Sequence, residues 1–224
     1  MVLGELRKLA DPKARATLAY FGVHAPKAYG ISAPKLHALA LRIGKDQKLA
    51  EQLWSSGVHE ARILAPLIGE PHKITGAQME RWVRDFASWD VVDTACCYLY
   101  AFAKPAWEKA YEWSERRAEF QKRAAFSLVA YLSYKDKSSK DARFEEFLSV
   151  IERESRDERH FVRKAVNWAL RNIGKRNQRL NRAAIRCAER IRKQSSRTGK
   201  WIAADALREL RSAAVQARLR KKMA

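Results

Sequence analysis

Apolar positions along the chain recur at intervals of three and four, and short breaks of Pro, Gly, Ser or Asp divide them into helix-length segments. Residues 2–9 and 12–21 read as two short helices separated by Asp11-Pro12, where aspartate caps and proline takes the first helical position. The stretch from Phe21 to Ile31 has three breakers and no period, and reads as a connector. Pro34 opens a helix with Leu36, Leu39, Ala40 and Ile43 on its buried face, ended by Gly44. Leu49–Trp54 is a short partner, His59–Ile68 a further apolar helix, and Thr75 caps the one carrying Met79, Trp82, Val83 and Phe86. Ser88 is placed to cap the next helix, whose Val92, Ala95, Cys96 and Leu99 form a stripe. Trp89 and Asp93 stand four apart on one side of it, with Asp93 off the centre of the stripe.

The second half keeps the same rhythm. Pro105–Trp113 and Glu115–Tyr131 are expected as helices, Ser133–Lys140 as a loop, and Phe144–Ile151, Arg159–Ile173, Asn177–Ile191 and Trp201–Leu219 as helices, broken by Gly174 and by 195–199. No stretch alternates long enough to claim a strand. Helix pairs spaced by about 30 to 40 residues suit an all-α, HEAT-like or armadillo-like helical-repeat solenoid, although no clean period is visible. A helical bundle is the alternative. The solenoid offers a concave face, expected to be basic and wide enough to follow a duplex. One helical-repeat domain is expected over residues 1–224, with 212–224 a basic tail prone to fray.

Charge changes the picture. The chain of 224 residues carries a net charge of +20, and residues 153–224 hold 22 Lys or Arg against 6 Asp or Glu. Such an asymmetry favours a nucleic-acid partner, because each phosphate neutralised releases counterions. An anionic membrane is a poorer fit, since the basic helices interleave arginine with alanine and not with large aromatics. No run approaches the roughly 18 apolar residues of a membrane span, and the N-terminal 21 residues mix charges into their apolar pattern, so a cytoplasmic protein, nucleoid-associated in a prokaryote, is expected. Cys96, Cys97 and Cys187 are too few and too unevenly spaced for a disulfide framework or a zinc site. The five histidines lack ligand spacing, His59-Glu60-Ala61-Arg62 is no zinc-protease motif, and no glycine-rich phosphate loop is present, so neither metal nor cofactor is expected.

The basic candidates lie in two places. Arg123, in Phe120-Gln121-Lys122-Arg123-Ala124, is one residue from an apolar face, where a guanidinium fork can clamp a phosphate. Arg159, Arg163, Lys164, Arg171, Lys175 and Arg176 form the densest stretch. Arg159 and Arg163 are four apart, as are Arg171 and Lys175, so in an isolated helix each pair repels by tenths of a kcal/mol, a cost that an anionic ligand removes. Lys175 and Arg176 precede the next helix, whose amide donors also suit a phosphate. Trp168, in the same apolar and basic helix, either packs on a neighbouring repeat or stands at the mouth of a groove.

Trp82-Val83-Arg84-Asp85 leading into Ser88-Trp89-Asp90-Val91-Val92-Asp93, then Phe120-Gln121-Lys122-Arg123-Ala124, then Arg159 to Arg171, resemble in order and separation the DNA alkylation repair family of HEAT-like-repeat alkylpurine DNA glycosylases. Tyr29-Gly30-Ile31 with Pro34, and His59-Glu60-Ala61-Arg62, also resemble its N-terminal half. The likeness spans roughly residues 15–210. It implies a C-shaped stack of repeats holding double-stranded DNA with alkylated bases, a monomer, and cofactor-free hydrolysis of the N-glycosidic bond of N3- or N7-alkylated purines. By the same resemblance Asp93 is the catalytic carboxylate, Trp89 and Trp168 line the cleft, Arg123 holds the backbone, and Tyr20 or Tyr29 approaches the duplex.

The chemistry is consistent with those residue types. Alkylation at N7 of guanine or N3 of adenine makes the base cationic and a good leaving group, so the demand on the protein is to stabilise charge on the sugar. A carboxylate and indole faces do that, and no lysine is placed as a Schiff-base nucleophile, so a monofunctional enzyme is expected. The alternative is a non-catalytic helical-repeat module that binds DNA backbone or branched DNA. A protein-binding scaffold is a third reading, distinguished by salt-insensitive protein binding without affinity for DNA.

Overall fold

Caps and breakers set most helix ends in the structure, a computed structural model that describes residues 2–221. Asp11 accepts from the amides of Lys13 and Ala14 ahead of Pro12, as its position before proline predicts. Asp46, Thr75, Asn177 and Ser196 cap in the same way. No strand occurs among the described residues, and the helical-repeat architecture expected from the periodicity is present.

The chain divides between Ala106 and Trp107 into two compact units. The first holds α1 (Val2–Lys8), α2 (Pro12–Thr17) running into a 3-10 turn at Leu18–Phe21, α3 (Ala33–Ile43), α4 (Gln47–Ser55), α5 (His59–Ile68), α6 (Gly76–Arg84) and α7 (Trp89–Tyr98). Leu6, Leu36, Leu53, Leu64, Met79, Val92 and Leu99 fill its core. Trp54 and Trp82 stack with centroids 4.1 Å apart, and the Trp54 indole donates to Asp85 at 2.8 Å. The aperiodic connector before α3 is tied down by one buried carboxylate. Glu60 accepts the backbone amides of Tyr29, Gly30 and Ile31. Gly30 is obligatory there: its φ is +79°, and a Cβ would lie 2.3 Å from the Asp11 carbonyl.

The second unit, from Trp107, comprises the rest of α8 (Ala106–Ser114) with α9 (Glu119–Lys135), α10 (Asp141–Glu154), α11 (His160–Gly174), α12 (Gln178–Arg192), α13 (Arg197–Leu210) and α14 (Ala213–Lys221). Helix α11 packs between α9 and α13, while α12 lies against α10, α11 and α13. The contacts reveal the repeat that the residue pattern hid. Arg123 meets Phe161, Asn167 meets Asp205, Arg171 meets Glu209 and Glu152 meets Arg190, each pair 38 residues apart. In the first unit the offset is 31 residues, between Gln47 and Gln78, Trp54 and Asp85, and His59 and Asp90.

Two expectations are corrected. Helix α9 starts at Glu119, four residues later than expected, and runs through Lys135 into the expected loop. Ser133 sits within it, buried, with its hydroxyl donating to the Val129 carbonyl one turn back. The single helix expected over 201–219 is two, broken at Arg211-Ser212 without glycine or proline. The Leu210 carbonyl released there accepts from the side chains of Gln216 and Asn181. Residues 213–221 of the basic tail are helical, with Leu219 fully buried, and residues 222–224 lie outside the described residues. The three cysteines are free thiols.

Candidate nucleic-acid interface

In the first unit the start of α7 is held by a buried polar cluster. Ser88 stands at the N-cap position in extended backbone but makes no capping bond, a correction to its expected role; its side chain hydrogen-bonds Asp90 instead. Asp90 also accepts the Val91 amide and pairs with His59 Nε2 at 2.9 Å. Burial opposes charge on both partners. The pairing outweighs it, so His59 titrates above and Asp90 below the ordinary range.

Trp89 follows, half-buried, its indole N–H donated to the Phe21 carbonyl at 2.9 Å. That bond fixes the ring against the 3-10 turn, where Tyr20 is 87% and Phe21 59% exposed. Tyr29 is half-buried in the connector that Glu60 holds. Asp93 lies one turn further along α7, half-buried. Beside the cluster a cavity of 330 Å³ is lined by His24, Lys27, His59, Arg62, Asp85 and Ser88 among others. His59, Glu60 and Arg62, rejected from sequence as a metal motif and carried there by the family resemblance, are a clamp: Arg62 pairs with Asp85 and lies over the Trp54 ring.

In the second unit most of the expected DNA-binding cations have internal partners. Only 6% of Arg123 is exposed, and its guanidinium donates to the Phe161 carbonyl at 2.9 Å, so it sits inside the α9–α11 packing and not on an open edge. Trp168 is half-buried with its ring edge-on to Tyr131 at 4.9 Å. Arg159 precedes α11 and pairs with Asp157, which holds the guanidinium's pKa above its ordinary value. Arg171 and Lys175 converge on Glu209, Lys175 at 2.7 Å, so a carboxylate of the protein relieves the repulsion expected between them. Despite burial, those two cations keep the Glu209 carboxyl below the usual range. Arg176 donates to the carbonyls of Ser133, Asp136 and Ser139 and lies 4.5 Å from the centroid of Phe144.

Two of the expected cations are arranged differently. Lys164 is exposed, and the guanidinium of Arg163 lies 5.4 Å from the ring centroid of Trp201. Trp201 was not singled out in the sequence. Its signal was the 38-residue offset from Arg163, the same offset that joins Arg123 to Phe161. His160 has a lowered pKa, through burial and then the charges of Lys164 and Arg163. Among the described residues no group of three or more His, Cys, Asp or Glu side chains is arranged to hold a metal ion, and no helix is long and apolar enough to cross a membrane.

Residues 2–216 match the family model described as DNA alkylation repair enzyme. The chain belongs to the DNA alkylation repair family. Among solved structures it is similar to one described as "a new family of proteins related to the HEAT-like repeat DNA glycosylases with affinity for branched DNA structures", with a TM-score of 0.77 and 19% identity over 97% of this chain and 94% of that chain. A designed armadillo repeat protein, YIII(Dq)4CqI, matches 78% of this chain and 91% of its own at 15% identity and a TM-score of 0.34, too low to carry an argument. No curated protein matches the chain. This member of the DNA alkylation repair family is therefore an all-α, HEAT/armadillo-like helical-repeat protein associated with DNA repair.

Proposed function

We propose that the protein binds DNA through the sugar–phosphate backbone, with preference for branched or distorted DNA, as part of alkylation repair. The observation that carries this reading is the likeness, over 97% of the chain, to a structure described as having affinity for branched DNA. Membership of the DNA alkylation repair family and a net charge of +20 support it. Backbone recognition depends on phosphate neutralisation. With about five phosphates engaged, affinity falls roughly 10²- to 10³-fold between 50 and 200 mM salt. The test is equilibrium binding of a four-way junction and a plain duplex across that salt range. A binding constant that ignores salt, or no binding at low salt, counts against the proposal.

A second reading adds catalysis, and the Trp89–Asp93 arrangement favours it. The indole is pinned to the Phe21 carbonyl, and the carboxylate projects from the same helix one turn later. On this reading the substrate is a cationic N3- or N7-alkylated purine in duplex DNA. The positive base leaves with the glycosidic electron pair as charge develops on the deoxyribose. Asp93, ionised, stabilises the oxocarbenium-like sugar and orients the attacking water, while the indole face of Trp89 favours the cation. The base is not enclosed, and with no lysine adduct the strand stays intact. Single-turnover release of N7-methylguanine by wild type, lost in D93N at preserved DNA affinity, supports this reading. Firm DNA binding with no release by either leaves the non-catalytic reading alone.

A further inference from the structure

Helices α11 and α13 run in register, 38 residues apart, and their facing side chains form a ladder. Toward the C-terminal end of α11 the ladder is neutralised: Asn167 donates to Asp205, Arg171 reaches Asp205 and Glu209, and Lys175 reaches Glu209. Just before α11, Asp157 takes Arg159 and lies near Lys122. Between these carboxylates is a short stretch where the compensation stops. Glu119 accepts the Phe161 amide there and lies near His160. No carboxylate among the described residues takes the guanidinium of Arg163 or the ammonium of Lys164. Arg163 Nε is buried without a hydrogen-bond partner.

What Arg163 has instead is an aromatic ring. Trp201 is 42% exposed, carries the guanidinium at 5.4 Å, and is preceded by the exposed Lys200. Exposing so large an indole costs apolar burial, and an Arg163 without a carboxylate partner beside it, with the exposed Lys164 and Lys200 next to the two in sequence, adds positive potential there. An exposed aromatic ring beside a cation is the arrangement that holds single nucleic-acid strands: the ring stacks on a base and neighbouring cations take the adjoining phosphates.

We propose that Trp201 and Arg163 form a stacking platform for an unpaired nucleotide of a DNA strand, the indole receiving the base and Arg163, Lys164 and Lys200 receiving its phosphates. The proposal rests on the DNA-binding reading above and deepens it. In an intact duplex both faces of each base are covered by its neighbours, so the indole gains nothing there. At a flap, gap or branch point a base face is free, and the platform then adds affinity that a plain duplex does not receive.

The experiment compares the full chain and its W201A and W201F variants on a blunt duplex and on the same duplex bearing a short single-stranded flap with 2-aminopurine in it. Loss of a stacked base costs about 5- to 100-fold in affinity. W201A is expected to weaken flapped DNA about tenfold, on that scale, and to abolish the fluorescence quenching of 2-aminopurine, while blunt-duplex affinity stays within about twofold. W201F should keep most of both signals. An R163Q variant should weaken the flapped substrate and leave the aromatic quench partly in place. Equal affinities of W201A and wild type for flapped DNA overturn the platform, as does a flap that binds without quenching, the result expected if only its phosphates are held. A wild type that binds neither DNA overturns the DNA-binding reading itself, a separate outcome.

Discussion

The charge pair beneath the start of α7 makes a prediction whose sign and size follow from its surroundings. The His59 side chain is 6% exposed and that of Asp90 20%, so solvent screens their 2.9 Å contact little. Replacing Asp90 with asparagine keeps the shape and removes the charge. A hydrogen bond to a charged group contributes about 1.5–3 kcal/mol, and the new amide can retain a neutral bond to the ring, so a loss of about 2 kcal/mol is expected. The direction with pH follows from both partners. The folded pKa of His59 is raised, so its contribution is complete below the unfolded value of about 6.5 and fades as pH rises through the folded value. Asp90 is lowered, so its contribution is complete above about 3.9 and fades as pH falls through its folded value. Glu60 and Arg62 also face His59, and both are common to wild type and variant, so they drop out of the difference between the two. The advantage of wild type over D90N is therefore largest near pH 5–6 and shrinks toward pH 9. In urea, with a slope of about 2 kcal/mol per molar, the midpoints should differ by about 1 M at pH 5.5 and clearly less at pH 9. Equal differences at the two pH values would refute the ion-pair account.

Three further outcomes are expected. D93N should keep duplex affinity within about twofold, since a carboxylate repels phosphate and does not bind it, and should abolish any release of N7-methylguanine; retained release in gel or mass-spectrometric assays assigns the chemistry elsewhere. E209Q removes the carboxylate that Arg171 and Lys175 share, and should steepen the salt dependence of duplex binding by about 0.9 for each cation that then reaches a phosphate; an unchanged slope shows that these two do not face DNA. Gly174→Ala should destabilise by about 1–3 kcal/mol in thermal or urea unfolding, because the new Cβ would lie 2.6 Å from a methyl of the fully buried Leu210, and a neutral substitution would show that Leu210 can move aside.

The helices were legible because a 3.6-residue period and a handful of caps are local signals, and Asp11-Pro12 and Thr75 acted as read. What was hidden depends on residues far away. The break between α13 and α14 is marked by neither glycine nor proline but by a carbonyl that Asn181, 29 residues earlier, helps to satisfy. Ser133 looked like loop and is helix, since a hydroxyl bonded one turn back can be buried at little cost. Gly174 looked like a stop signal; it is the last residue of α11, and its small size is required by Leu210 from α13. No single repeat length was visible because the contact offsets vary along the chain, 31 residues for several pairs of the first unit and 32, 34 or 38 for pairs of the second.

The candidate site was legible in kind more than in detail. Composition favours an anionic partner, and the spacing of Trp89 and Asp93 on one helix could be read directly. The state of each cation could not, because Glu209 neutralises residues 34 and 38 positions away and Asp157 claims Arg159 through a local turn. Trp201 went unnoticed for the same reason, its guanidinium partner lying 38 positions earlier on another helix.

The most direct measurement of the central claim is the affinity of the full chain for a four-way junction and for a plain duplex of equal length, each titrated from 50 to 200 mM salt. The account predicts tighter binding of the junction and a loss of roughly 10²- to 10³-fold across that range for about five phosphate contacts. Equal or absent binding of the two DNAs at the lowest salt, or affinities indifferent to salt, would contradict it.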